Sequence, residues 1–143
     1  MSLPGLTLSQ WSLLAFGGMI GTWARVTLGT TVASRLAQSG LAADLGAPLG
    51  TLGVNFLGAL IIGWVAAIAA CRDTWVTPDL RLLLAVGFCG AFTTFSSFGL
   101  ETVTLLHNGR WFQATAYVAV TNSLVLLATA TGFWLGRLGH ATP

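Results

Sequence analysis

The chain reads as an all-α integral membrane protein with four transmembrane helices, on three observations. Only 7% of its 143 residues are charged while 55% are apolar, against roughly 25% charged in an ordinary soluble domain. The apolar residues gather in four runs, at about 11–32, 48–70, 80–106 and 111–135. Each run is close to the roughly 20 residues needed to cross a bilayer core. The whole chain, 1–143, is therefore expected to be a single four-helix membrane domain with no separate soluble module.

The first run begins at Trp11. Residues Met1 to Gln10 contain no Lys or Arg, so they lack the positive region of a secretory signal and the run is expected to be a retained span. Gly17 and Gly21 form a small-x-x-x-small pair that can press one helix on another. The second run opens with Pro48, a residue suited to a first helical turn. Thr77-Pro78-Asp79 has the pattern of an N-cap opening the third helix, and Asn108-Gly109 is a turn signal ending it. The fourth run carries Tyr117, Thr121 and Thr129 on a four-residue spacing that Val125 interrupts, with Asn122 and Ser123 off that line toward other helices. Gly132 and Gly136 make a second small pair in the same run. Trp11, Trp75 and Trp111 fall at run edges, as an interfacial aromatic belt requires. Trp23, Trp64 and Trp134 lie deeper and are expected to pack against other helices.

Polar residues at membrane depth are costly and mark cavities or paths. The third run concentrates them in Gly87-Phe-Cys-Gly-Ala-Phe-Thr-Thr-Phe-Ser-Ser-Phe-Gly-Leu-Glu101. Gly87, Gly90 and the Thr93-Thr94 pair invite a break near the middle of this helix, because Gly is permissive and Thr hydroxyls compete for backbone bonds. Phe95 and Phe98 share a face; their positive ring edges could meet an anion, or the rings could simply pack. Arg25 in the first run is always charged and either lines an aqueous vestibule or bonds to helix carbonyls or to Glu101. Asn55 in the second run, with Thr51 one turn before it, offers N–H donors without net charge or makes an interhelical hydrogen bond.

Orientation is weakly specified. The chain has no Lys, and its arginines divide into Arg72, Arg81 and Arg137 (with His140) on the N-terminal side and Arg35 and Arg110 on the other. Orientation follows that bias, so the chain either inserts both ways up or holds one marginal topology. Insertion both ways would permit an antiparallel homodimer, supplying by assembly the inverted symmetry that a single chain without an internal repeat lacks.

Together these segments resemble the Fluc (CrcB) family of fluoride channels along essentially the whole chain. The resemblance is carried by Gly17-Gly-Met-Ile-Gly-Thr-Trp-Ala-Arg25, by Gly50 to Gly58 around Asn55, and by Gly90-Ala-Phe-Thr-Thr-Phe-Ser-Ser-Phe98 with Glu101. It implies an antiparallel dual-topology homodimer in a bacterial inner membrane that exports fluoride passively from the cytoplasm. It further implies a fluoride path lined by Asn55, Phe95 and Phe98, with Thr51, Ser97, Tyr117 and Thr121 along it and Arg25 at its vestibule. Gly90 and Thr93 match residues whose backbone carbonyls hold a structural Na⁺ at the dimer interface. Val125 departs from the family's fourth-helix hydroxyl track. The role of Glu101 stays open.

Other classes fit less well. A proton-coupled exporter resembling the small multidrug resistance transporters would need a membrane carboxylate early in the chain, whereas the intramembrane candidate is Glu101 in the third run. A formal charge of +2 without a basic run gives no footprint for nucleic acid. Cys71 and Cys89 have no metal or disulfide spacing. With no nucleophile–base pair or phosphate loop, the chain is not expected to be an enzyme.

Overall fold

The structure, a computed structural model, describes residues 5–40, 45–71 and 75–138. Helix α1 is Leu8–Gln38. It is opened by a reciprocal cap in which the Thr7 hydroxyl accepts from the Gln10 N–H and the Gln10 side chain accepts from the Thr7 N–H. Helix α2 is Gly46–Ala69. The third segment, Pro78–His107, consists of α3 (residues 78–92) and α4 (Phe95–His107) separated by two extended residues. Helix α5 is Trp111–Leu138. Thr77 caps α3, its hydroxyl accepting from Leu80 N–H at 3.2 Å. Gly109 reverses the chain before α5 with φ 72°, a backbone conformation open to Gly at little cost.

Three of these segments, Gly46–Ala69, Pro78–His107 and Trp111–Leu138, are long and apolar enough to cross a membrane. Helix α1 is longer than α2 or α5 yet less apolar, because Arg25, Arg35 and four threonines interrupt it. Two of those hydroxyls return to their own helix, Thr30 to the Val26 carbonyl and Thr31 to the Thr27 carbonyl, each at 2.6 Å. The helix also runs past Val32 to Gln38, since its polar last turns remain good helix formers after the apolar run has ended.

The segments alternate in direction along the chain, and glycine governs how closely they meet. Gly46 lies against the Ala33 backbone and Gly50 against that of Gly29, so α1 and α2 run antiparallel. A Cβ on Gly17 would stand 2.7 Å from the Leu83 carbonyl, and one on Gly21 would meet the Phe88 carbonyl. Those carbonyls belong to a π-helical stretch, Leu82–Cys89, a wide-turn geometry that often accompanies functional sites. The Gly132 and Gly136 pair seats α5 on Leu60, Trp64 and Ala67 of α2, and α2 with α5 is the most extensive helix pair. Phe98, Leu105, Ala114 and Tyr117 form a buried cluster joining α4 to α5.

Two expectations change here. Trp23 and Trp134, expected to pack against other helices, are 70% and 61% exposed in the single chain. In lipid an apolar ring gains nothing by being buried in protein, so depth in the sequence does not predict burial. Trp64, at the α2 surface, instead meets Trp75 with ring centroids 6.3 Å apart. Of the charges weighed for orientation, Arg72 and His140 lie outside the described residues.

Candidate functional site

The interruption of the third segment is built by two threonines with opposite tasks. Thr93 closes α3, its N–H and its hydroxyl both donating to the Cys89 carbonyl at 3.0 and 2.9 Å. Its own backbone then turns extended, with φ −80° and ψ 155°. Thr94 is extended too, at φ −147° and ψ 110°, and caps α4 by accepting from Ser97 N–H at 3.2 Å. Gly58 of α2 makes room for this turn, since a side chain there would collide with the Thr93 methyl group.

A broken helix inside a membrane must satisfy its freed backbone groups locally. Asn55 does this for Thr94. Its Oδ1 accepts from Thr94 N–H at 2.7 Å, and its Nδ2 donates to the Thr94 carbonyl at 3.0 Å. The side chain of α2 thus clamps one peptide of the break at both ends. The Thr94 N–H is also the donor that an unbroken helix would present to the Gly90 carbonyl, and the Ser97 N–H the one it would present to Thr93. Both are directed elsewhere, so the carbonyls of Gly90 and Thr93 have lost their regular partners. At Gly90 a Cβ would meet nothing within 4 Å.

A second constellation lies one helical turn below. Glu101 Oε1 accepts from the Thr51 hydroxyl and Oε2 from the Tyr117 hydroxyl, both at 2.7 Å. The carboxylate therefore ties α2, α4 and α5 together. Short bonds to an ionisable group are among the stronger ones a protein makes. The sequence singled out Thr51, Tyr117 and Glu101 separately, but not that the carboxylate joins the two hydroxyls. The available signal was that a half-buried carboxylate needs donors, and hydroxyls were the nearest polar groups on the facing helices.

Two cavities meet at the break, with Thr94 on the wall of both. One, of about 540 Å³, holds Arg25, Thr51, Ser96, Ser97 and Glu101. Arg25 forms no ion pair or hydrogen bond among the described residues, so its charge stands unpaired at this cavity, which Glu101 also lines. The other, of about 300 Å³, is walled by Asn55, Gly90, Thr93, Phe95, Phe98 and Thr121 among others. Phe98 is buried between Phe95 and Tyr117, with ring centroids 5.4 and 5.2 Å away, while Phe95 is 79% exposed. Thr121 is 5% exposed and its hydroxyl has no hydrogen-bond partner among the described residues. A buried polar atom without a partner costs about 1–3 kcal/mol, and here it borders a cavity that could hold one.

The geometry thus gathers Asn55, Phe95, Phe98, Thr121, Gly90 and Thr93 around one cavity, and Thr51, Ser97 and Arg25 around the adjoining one. Tyr117 lines neither cavity but bonds Glu101 on the wall of the wider one. A family model described as CrcB-like protein, Camphor Resistance (CrcB), matches residues 12–133. The chain is 41% identical over 129 residues to a fluoride-specific ion channel FluC of Methylobacillus flagellatus, covering 89% of this chain and 91% of the relative. It is 37% identical over 131 residues to a FluC of Acinetobacter baumannii, covering 89% and 94%. A FluC of Sorangium cellulosum is 35% identical over 130 residues, covering 91% and 96%. On this breadth of match, the chain belongs to the CrcB family.

Proposed function

We propose that this protein is a fluoride-selective channel that lets the ion leave the cytoplasm passively across a bacterial inner membrane. The observation that carries the reading is the buried, unpartnered Thr121 hydroxyl at a cavity bordered by Asn55, Phe95 and Phe98. Fluoride is small and strongly hydrated, so a path must replace its water with successive donors that each bind weakly enough to release it. Neutral hydroxyls, a carboxamide and ring edges meet that requirement. The membrane-depth N-terminus of α4 adds a partial positive charge, with Thr94, Ser96 and Ser97 at its first turn. Arg25 raises the local anion concentration at the wider cavity.

The working unit in this proposal is an antiparallel homodimer of four-span chains, with α1 as the fourth span. Its support is the near balance of arginines across the chain and the open space beside Gly90. The carbonyls of Gly90 and Thr93, deprived of their regular donors, suit a hard cation such as Na⁺, and would hold it together with those of a second copy. Such an ion supplies a fixed positive charge that favours anions nearby. This chain's own contribution is to keep the break open. Thr93 ends one helix, Thr94 starts the next, and Asn55 holds the peptide between.

The test is ion efflux from liposomes containing the purified protein. Fluoride should leave rapidly and chloride should stay; equal release of the two would sink the proposal. Replacing both Phe95 and Phe98 by Ile should leave the dimer assembled and impair fluoride release. Undiminished release would remove those rings from the path.

A further inference from the structure

The last helix has a gap in its donors, and the structure points to the residue that fills it. Along the four-residue stripe of α5 that leads to the cavity, Tyr117 gives its hydroxyl proton to Glu101 and Thr129 gives its own to the Val125 carbonyl at 2.9 Å. Val125 has no proton to give. Thr121 alone among these four is uncommitted. An anion moving along this wall would meet one free donor and then an apolar stretch, although the cavity continues past Val125 to Thr129.

Asn122 lies on the same cavity wall. Seven positions separate it from Thr129, which at 3.6 residues per turn places both on nearly the same helical face. Its Nδ2 donates to the Val118 carbonyl at 2.8 Å, which fixes the carboxamide. A primary amide has a second N–H about 120° from the first; that proton has no acceptor among the described residues. The side chain is exposed in the single chain, yet an amide facing hydrocarbon would be costly. Both facts are satisfied if it faces the hydrated path rather than lipid.

We propose that Asn122 is the ion-facing donor of the last helix between Thr121 and Thr129, standing in for the hydroxyl that Val125 does not provide. The inference rests on the channel reading above and assigns a lining residue to it. Loss of a single hydrogen bond of ordinary strength corresponds to about a tenfold change.

Fluoride efflux from liposomes, read alongside dimer content by size-exclusion chromatography, tests this with four proteins: the parent, Asn122→Leu, Asn122→Ala, and Asn122→Leu combined with Val125→Ser. Both single variants should slow fluoride release by about tenfold or more, and Val125→Ser should return the rate of Asn122→Leu to near the parental value. Parental rates in Asn122→Ala, or no recovery on adding Val125→Ser, would overturn the proposal. The second outcome accompanied by loss of dimer would mean that Asn122 is an assembly contact. Should the parent itself release no fluoride, the channel reading fails first and the donor assignment falls with it, which separates the two failures.

Discussion

Replacing Asn55 by Ala is the most informative single perturbation of this fold. Asn55 and Thr94 are 9% and 7% exposed, and the carboxamide satisfies both the N–H and the carbonyl of Thr94. Removing it leaves two buried backbone groups without partners, each costing about 1–3 kcal/mol, so the variant should lose about 2–6 kcal/mol. Even the lower figure is about a thirtyfold change in the folded-to-unfolded ratio. Reversible unfolding in detergent or in bicelles measures the loss, and liposome efflux measures its consequence for the path. Asn55→Asp separates the two halves of the clamp. It keeps an acceptor for Thr94 N–H but sets an oxygen against the Thr94 carbonyl, so it should recover part of the stability at most. A stability within about 0.5 kcal/mol of the parent for Asn55→Ala, the range of an unconstrained surface change, together with parental efflux, would refute the argument that this side chain holds the break.

Three further outcomes are expected. Thr121→Val removes a buried hydroxyl that has no partner while preserving shape, so unfolding should show equal or higher stability, by up to about 1–3 kcal/mol. The same variant should conduct fluoride more slowly, opposite signs that a purely structural threonine would not give. Gly132→Ala places a methyl group against the Leu60 carbonyl, with the Trp64 nitrogen only 3.0 Å away. It should lower the melting temperature through about 1–3 kcal/mol of overpacking, whereas Gly53→Ala, with open space at its Cβ, should gain up to about 1 kcal/mol of helix propensity. Tyr117→Phe deprives Glu101 Oε2 of its donor and should cost about 1–3 kcal/mol in the same unfolding assay; an unchanged midpoint would mean that the carboxylate finds another partner.

Much of the site was legible because hydrocarbon forbids indifference to polarity. Asn55, Thr94 and Glu101 stand out in apolar runs since each must be partnered or wet. Which of those it would be was not legible. Asn55 could have been a free donor or an interhelical bond; the structure engages its Oδ1 and one Nδ2 proton on Thr94, and the second Nδ2 proton has no acceptor among the described residues. Glu101 gathers Thr51 from fifty residues earlier and Tyr117 from sixteen later, a meeting that depends on the depth at which three helices cross. The π-helical stretch Leu82–Cys89 leaves little mark in an apolar run, because its residues other than Gly87 are all compatible with an ordinary helix.

Composition and periodicity alone determined that this is a helical membrane protein, where its turns fall, and that the third segment concentrates its polar residues. Those conclusions follow from local rules: span length, capping, and the cost of a polar group in lipid. The tertiary structure decided what they could not, namely that Thr93 ends a helix, Thr94 begins another, and a cavity lies on each side of the break. It also decided that Thr121 carries a buried hydroxyl without a partner among the described residues. The physical reason is that a hydrogen bond between helices depends on their relative depth and rotation. Those are set by where glycines let backbones touch, and no single segment contains that information.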